Sequence, residues 1–206
     1  MSNGNMAAPE LAAVEIHGMD RGAFVMKSAL AVGTVYGVAA VGPFVGRALA
    51  ESGDVGILNF ALTLEYLEAD FYTEGMKLNL RSEVAQFAKL AGEHEQQHVE
   101  ALIATVKKLG GTPVKKPTFK FPLSNEASFL ELAQTLEDTG VGAYNGAAPA
   151  IESKEVLAAA GSIVQIEARH AAVIRLLNGA TPAPAAFDEA LMKGKVLAAV
   201  KPLIKA

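Results

Sequence analysis

Two copies of one four-residue motif supply side chains that can bind a metal ion. The sequences EQQH at residues 95–98 and EARH at residues 167–170 both read Glu-x-x-His. On a helix, positions i and i+3 lie on one face about one turn apart, so the carboxylate and the imidazole of each copy can reach a single ion. One copy alone is a weak signal, whereas two copies indicate a metal site built from two helices.

An internal repeat extends this pattern to two further helices. The two motifs lie 72 residues apart, and the same shift pairs Glu65 with Glu137 and Tyr72 with Tyr144. Each half therefore contains a glutamate, a tyrosine seven residues later, a second glutamate thirty residues later and a histidine thirty-three residues later. The candidate metal ligands are Glu65, Glu95, His98, Glu137, Glu167 and His170.

The repeat also separates these residues from other acids nearby. Glu68 is the main rival of Glu65, but its counterpart in the second half is Gly140. We interpret such unrepeated acids as solvated groups or as groups that contact a ligand without binding the ion. His94, which lacks a histidine counterpart, is interpreted in the same way. Other unrepeated acids near the candidate ligands include Asp70, Glu93 and Glu100.

Glu83 and Glu155 do recur, yet each precedes its motif glutamate by twelve residues. At ~1.5 Å per residue this is about 18 Å along a helix, too far to share an ion. They are predicted to be first-turn charges.

Four glutamates and two imidazoles favour two ions of iron or manganese. Carboxylate oxygens and imidazole nitrogens suit these metals, and two divalent ions would balance four carboxylate charges. The chain contains no cysteine, which excludes disulfides, thiolate zinc sites and iron–sulfur clusters. One Glu from each of two helices, with Glu-x-x-His from two others, is the ligand arrangement of dimetal four-helix bundles.

The composition agrees with one helical domain and argues against nucleic acid as a partner. The chain has 206 residues, of which 51% are hydrophobic and 19% charged. Its net charge is −4 and no Lys/Arg stripe is present.

Apolar periodicity and capping residues predict four main helices. Three prolines between Thr112 and Leu123 exclude regular helix there, so this segment is predicted to be a long crossover between two helix pairs. Ser124 or Asn125 can cap the third helix and Ser153 the fourth. The predicted helices are 54–78, 82–109, a third that starts at 125 or 126 and ends near 147, and 154–178, followed by a short helical tail within 187–204.

Residues 1–50 are predicted to be an export signal or another N-terminal hydrophobic segment. The stretch 28–46 is uncharged and ALA follows it at residues 48–50, as in a cleaved signal. A cleaved signal implies export from the cytoplasm. The alternatives are an uncleaved membrane anchor, with membrane contact through residues 23–46, and a helix docked on the bundle.

Three sequence runs resemble desiccation-related proteins of the ferritin-like superfamily. They are LNFALTLEYLEADFY (58–72), LEDTGVGAYNGAAP (136–149) and IEARHAAVIR (166–175). The tail FDEALMKGKVLAAVKPLI (187–204) resembles the C-terminal extension of those proteins. The resemblance implies a ferritin-like four-helix bundle over residues 51–180 and an extension over residues 181–206 that docks on it.

The resemblance also implies a diiron or dimanganese centre at the six candidate ligands. Tyr72 and Tyr144 would lie beside it and act in catalysis, unless they are plain core aromatics. The expected function is oxygen- or peroxide-linked redox chemistry, such as that of an oxidase or a manganese-catalase-like peroxide dismutase. The alternatives are a catalytically idle stress-protection protein and an iron-storage protein. The expected partners are metal ions and small oxidants, together with further copies of this chain.

Overall fold

The computed structural model describes residues 53–205, and the regular elements in that range are helices. Helix α1 spans Gly53–Gly75 and helix α2 spans Ser82–Lys108. A short turn joins them, so the two helices pack against each other as an antiparallel pair. Glu83 lies in the first turn of α2, where the helix dipole favours a negative charge.

A long irregular connection, residues 109–125, leads from the first helix pair to the second. Asn59 of α1 fastens its beginning. The Asn59 side chain donates a hydrogen bond to the Thr112 carbonyl at 3.1 Å and accepts one from the Val114 amide at 2.8 Å. These bonds satisfy backbone groups that the prolines leave without helical partners.

Helix α3 spans Glu126–Ala147 and helix α4 spans Lys154–Leu177. Asn125 caps α3 by accepting a hydrogen bond from the Ser128 amide at 3.0 Å, and the Ser128 hydroxyl accepts one from the Asn125 amide at 3.1 Å. This reciprocal pair satisfies two amides that would otherwise lack partners at the helix start. Ser153 caps α4, as the sequence predicts.

Two apolar layers sandwich the motif residues. On α2, the buried side chains of Val84 and Ala88 belong to one layer and those of Val99 and Leu102 to the other, with residues 95–98 between them. Phe71 and Phe129 stack in the first layer with ring centroids 5.0 Å apart. Burying a large apolar side chain stabilises the fold by roughly 1.5–3 kcal/mol, which helps to offset the cost of enclosing acids between the layers.

The C-terminal residues fold back onto α3. Helix α5 spans Lys193–Val200, and a 3-10 turn, Lys201–Leu203, follows it. The Leu191 amide donates to the Gly142 carbonyl at 2.8 Å, and a Cβ atom at Gly146 would lie only 2.0 Å from the Leu191 carbonyl oxygen. Glycine is therefore required where the tail crosses α3. The tail contacts α3 at Leu191, whereas Phe187 is 90% exposed.

The predicted all-α four-helix bundle, with one long crossover and a short C-terminal helix, is confirmed. The first helix ends at Gly75, three residues before the predicted end at Leu78. The predicted export signal or hydrophobic segment (1–50) and the membrane contact through residues 23–46 lie outside the described residues. Among residues 53–205, no helix combines the length and the hydropathy that crossing a membrane requires.

Candidate metal centre

The structure brings all six predicted ligands together in the middle of the bundle. Helices α1 and α3 contribute one glutamate each, and α2 and α4 contribute the two Glu-x-x-His motifs. All four glutamates are buried, with at most 1% of their surface exposed. His98 is the most accessible of the six, and 11% of its side chain is exposed.

The ligand atoms form two overlapping groups. One contains Glu65 and His98 from the first half, and the other contains Glu137 and His170 from the second half. Glu95 and Glu167 belong to both groups, and within each group the ligand atoms lie within 4.8 Å of one another. The cluster therefore offers two overlapping groups of atoms, each of which could hold a metal ion.

Both imidazoles direct Nδ1 towards the carboxylates. His98 Nδ1 lies 3.2 Å from Glu65 Oε2, 3.0 Å from Glu95 Oε2 and 3.1 Å from Glu167 Oε1. His170 Nδ1 lies 2.9 Å from Glu95 Oε1. Each Nδ1 thus faces the atoms that would share an ion with it.

Several buried atoms of the cluster form no hydrogen bond of acceptable geometry. They are Glu95 Oε1, Glu137 Oε2, both carboxylate oxygens of Glu167, and His170 Nδ1. Some of them are close to one another, but these contacts lack the angles of hydrogen bonds. Buried polar atoms are normally satisfied, so five such atoms converging on one point indicate a site that can bind metal.

Burial and crowding disfavour the ionised form of most of these carboxylates, as their pKa values show. Burial raises the pKa of Glu65 to about 7, although the hydrogen bond from His98 opposes the shift. Burial and the charge of Glu65 also raise the pKa of Glu167 well above its ordinary value. Glu95 behaves differently, since contacts with His170 and His98 outweigh burial and hold its pKa near 2. One carboxylate is thus ionised while its neighbours retain protons more readily.

The pKa values of both imidazoles are raised, whereas burial alone lowers the pKa of a histidine. Burial would lower the pKa of His98, but contacts with Glu167, Glu65 and Glu95 raise it to about 12. Contacts with Glu137 and Glu95 likewise outweigh burial and raise the pKa of His170 to about 10. Without metal, both rings therefore carry protons and supply the positive charge that the carboxylates require.

Tyr72 and Tyr144 connect the two halves of the bundle. The Tyr144 hydroxyl donates to Glu65 Oε1 at 2.5 Å, and the Tyr72 hydroxyl donates to Glu137 Oε1. Each tyrosine is buried, and each hydrogen-bonds the glutamate of the other half. Both phenols therefore pack in the core and also orient candidate ligands.

Glu68 is buried beside the cluster, so it is not one of the solvated acids. A Cβ atom at Gly140 would lie 3.2 Å from Glu68 Oε1 and 3.2 Å from Glu167 Oε2, so both carboxylates reach the space over this glycine. Burial, followed by the charges of Glu167 and Glu95, raises the pKa of Glu68 well above its ordinary value. The missing side chain at position 140 was the available signal that Glu68 has room to turn inward.

The remaining unrepeated residues lie outside the cluster. Asp70 forms an ion pair with Lys116 at 2.7 Å, and Glu93 and Glu100 are exposed. His94 is half-buried, and its Nδ1 lies 3.0 Å from His170 Nε2. Of these residues, only His94 contacts a candidate ligand.

Known proteins similar to this chain were found by family, by sequence and by structure. The model of the ferritin-like domain family matches residues 53–180. Protein rds1 of Schizosaccharomyces pombe is 23% identical over 160 residues, which cover 73% of this chain but only 39% of that protein. A crystal structure of a conserved hypothetical protein, rv2844, from Mycobacterium tuberculosis superposes with a TM-score of 0.58 at 22% identity, covering 69% of this chain and 98% of the other. The structural match shows a shared fold.

Proposed function

This chain belongs to the ferritin-like domain family, and we propose that its buried cluster binds two ions of iron or manganese and supports a redox reaction with peroxide or dioxygen. The observation that carries the proposal is the pair of overlapping ligand groups, whose buried atoms lack hydrogen-bond partners. Carboxylate oxygens and an imidazole nitrogen that converge without hydrogen-bond partners are the atoms that these metals prefer as ligands.

The six residues divide naturally between two ions. Glu65 and His98 would hold one ion, and Glu137 and His170 would hold the other. Glu95 and Glu167 would bind both ions, because each of them belongs to both groups. Loading would also replace the imidazole protons, so the positive charge that balances the carboxylates would come from the metal.

When bound, two redox ions can exchange two electrons with peroxide or dioxygen. The protein residues would prepare the site for this reaction. Tyr72 and Tyr144 would hold the Glu137 and Glu65 carboxylates in orientation through their hydroxyl groups. The phenols are also oxidisable side chains in direct contact with proposed ligands, which suits them to donate an electron. The two apolar layers limit water around the cluster and strengthen its electrostatic interactions.

Metal content and peroxide consumption test this proposal on the purified full-length chain. We expect two ions per chain after loading with Mn(II) or Fe(II), and consumption of hydrogen peroxide or, with Fe(II), of dioxygen. Glu95→Ala and His98→Ala each remove a proposed ligand, so the metal content should fall below two ions per chain and the consumption of oxidant should be abolished. Glu83→Ala, which removes an exposed glutamate from the same helix, should leave both unchanged.

A structural role for the same site is the second candidate, and the enclosure of the ligands favours it. Only His98 among the six has more than a few per cent of its side chain exposed, so access for an oxidant is narrow. A fully loaded protein that is inert to peroxide and dioxygen, yet melts at a higher temperature than the metal-free protein, would establish this role. A protein that binds no metal would refute both candidates.

A further inference from the structure

One candidate ligand has a histidine partner outside the cluster. His94 Nδ1 and His170 Nε2 are 3.0 Å apart, and the two ring planes are inclined by only 11°. The ring centroids are 5.2 Å apart, which equals the nitrogen–nitrogen distance plus about one ring radius for each ring. Both nitrogens therefore lie close to the line that joins the two centroids. The rings therefore meet end to end in nearly one plane, as an in-line N–H···N hydrogen bond requires.

The other histidine ligand lacks the equivalent partner. The shift of 72 residues that relates His98 to His170 places Ile166 at the position corresponding to His94. Ile166 is half-buried, as His94 is, but its hydrocarbon side chain can neither donate nor accept a hydrogen bond. The two halves of the centre therefore differ at this position.

This contact determines which nitrogen of His170 is available to an ion. The Nδ1 atom of His170 faces Glu95 and Glu137, so an ion shared with them would need the lone pair of Nδ1. The ring proton must then reside on Nε2, from which it points at His94 Nδ1. A partner at the outer nitrogen orients a ligating ring and increases its basicity.

We propose that His94 is a positioning residue that holds His170 with Nδ1 towards the cluster, and that it thereby makes the Glu137/His170 position bind metal more tightly than the Glu65/His98 position. The inference rests on the proposed metal binding and adds an inequality between the two positions. Loss of such a partner typically lowers metal affinity by about 10–100-fold, and only one position should show that loss.

Calorimetric titration of the full-length, metal-free chain with Mn(II) tests this inequality. The wild type should bind in two phases of different affinity. His94→Phe keeps a planar ring but removes the hydrogen-bond acceptor, so it should weaken the tighter phase by about 10–100-fold and leave the weaker phase unchanged. His94→Gln supplies an acceptor and should restore most of the loss. Any fall in the melting temperature of metal-free His94→Phe should be restored by His94→Gln, because it would come from the lost hydrogen bond to His170 rather than from packing.

A reciprocal variant tests the asymmetry from the other half. Ile166→His places a partner beside His98 and should strengthen the weaker phase, whereas Ile166→Leu should not. Equal weakening of both phases in His94→Phe, or no change in either, would overturn the inference. A lower melting temperature of metal-free His94→Phe without rescue by His94→Gln would also overturn it, as a packing effect. A wild type that binds no Mn(II) would instead refute the proposed function.

Discussion

Loading the metal centre should release at least two protons per chain at pH 8. The pKa of His98 is about 12 and that of His170 about 10 in the metal-free protein, so both rings are protonated at this pH. Each ring must lose its Nδ1 proton before that nitrogen can bind an ion. Releasing two protons makes the overall constant for binding two ions rise about 100-fold per pH unit, or about 2.7 kcal/mol. Glu65, whose pKa is about 7, adds to the release in more acidic solution.

Calorimetry in buffers of different ionisation enthalpy counts these protons directly. The observed heat, plotted against the ionisation enthalpy of the buffer, has a negative slope when protons are released, and the magnitude of the slope equals their number. The measurement at pH 8 should give two or more, and the overall affinity should rise steeply between pH 7 and pH 9. Glu83→Gln, which changes an exposed glutamate outside the cluster, serves as the control and should give the same slope. Release of less than one proton, or an affinity that stays constant over this range, would refute the charge assignment.

The same pKa values determine how the stability of the metal-free protein depends on pH. The raised pKa values of His98 and His170 contribute stability that is fully present below the unfolded value of about 6.5 and is lost towards pH 10–12. The raised pKa of Glu65 has the same sign, because ionising this buried acid between pH 4.5 and 7 destabilises the fold. Glu95 opposes the trend only below pH 4.5, where its stabilising charge is neutralised. Without metal, the melting temperature should therefore fall from pH 5 to pH 9.

Three substitutions test other features of the structure. Tyr72→Phe leaves a Glu137 oxygen without its donor, so it should slow peroxide consumption and lower stability by about 1–3 kcal/mol without removing metal, as kinetics, thermal melting and metal analysis would show. Glu68→Gln removes a crowded buried acid and should raise the melting temperature of the metal-free protein at pH 8; an unchanged or lower value would contradict the crowding. Gly146→Ala would press a methyl group against the Leu191 carbonyl, so hydrogen exchange over residues 191–204 should accelerate, whereas unchanged exchange would show that the tail does not depend on this contact.

The repeat predicted the spatial convergence of six side chains because a duplicated helix pair places equivalent residues around a common centre. The repeat could not predict that the Glu68 side chain is buried, because its burial depends on how α1 packs against α3. The glycine at position 140, which argued against Glu68 as a repeated ligand, also makes the space that its carboxylate reaches. A pattern shared by both halves reveals what they have in common, whereas Glu68 and His94 are features of one half alone.

Capping residues located the helix starts at Asn125 and Ser153 because their hydrogen bonds are local. The path of the tail was less accessible to sequence reasoning. Gly142 and Gly146 correspond in the repeat to Asp70 and Glu74, so one half carries charges where the other carries a groove for Leu191. The contact between these glycines and Leu191 joins residues about fifty positions apart in the sequence. The apolar periodicity within α3 carries no information about such a distant contact.

The reciprocal tyrosine bonds have a consequence for how the protein can be divided. Tyr72 reaches Glu137 and Tyr144 reaches Glu65, so each half completes the hydrogen bonding of the other. A chain cut within residues 115–123 would yield two fragments, each with one of the bonded glutamates Glu65 and Glu137, one of the two bonding tyrosines and one Glu-x-x-His motif. Each fragment lacks the phenol that bonds its own glutamate, and each presents the donor that the other needs. The two helix pairs are thus complementary in the way that the subunits of a heterodimer are. The crossover links them covalently and raises the effective concentration of each pair for the other.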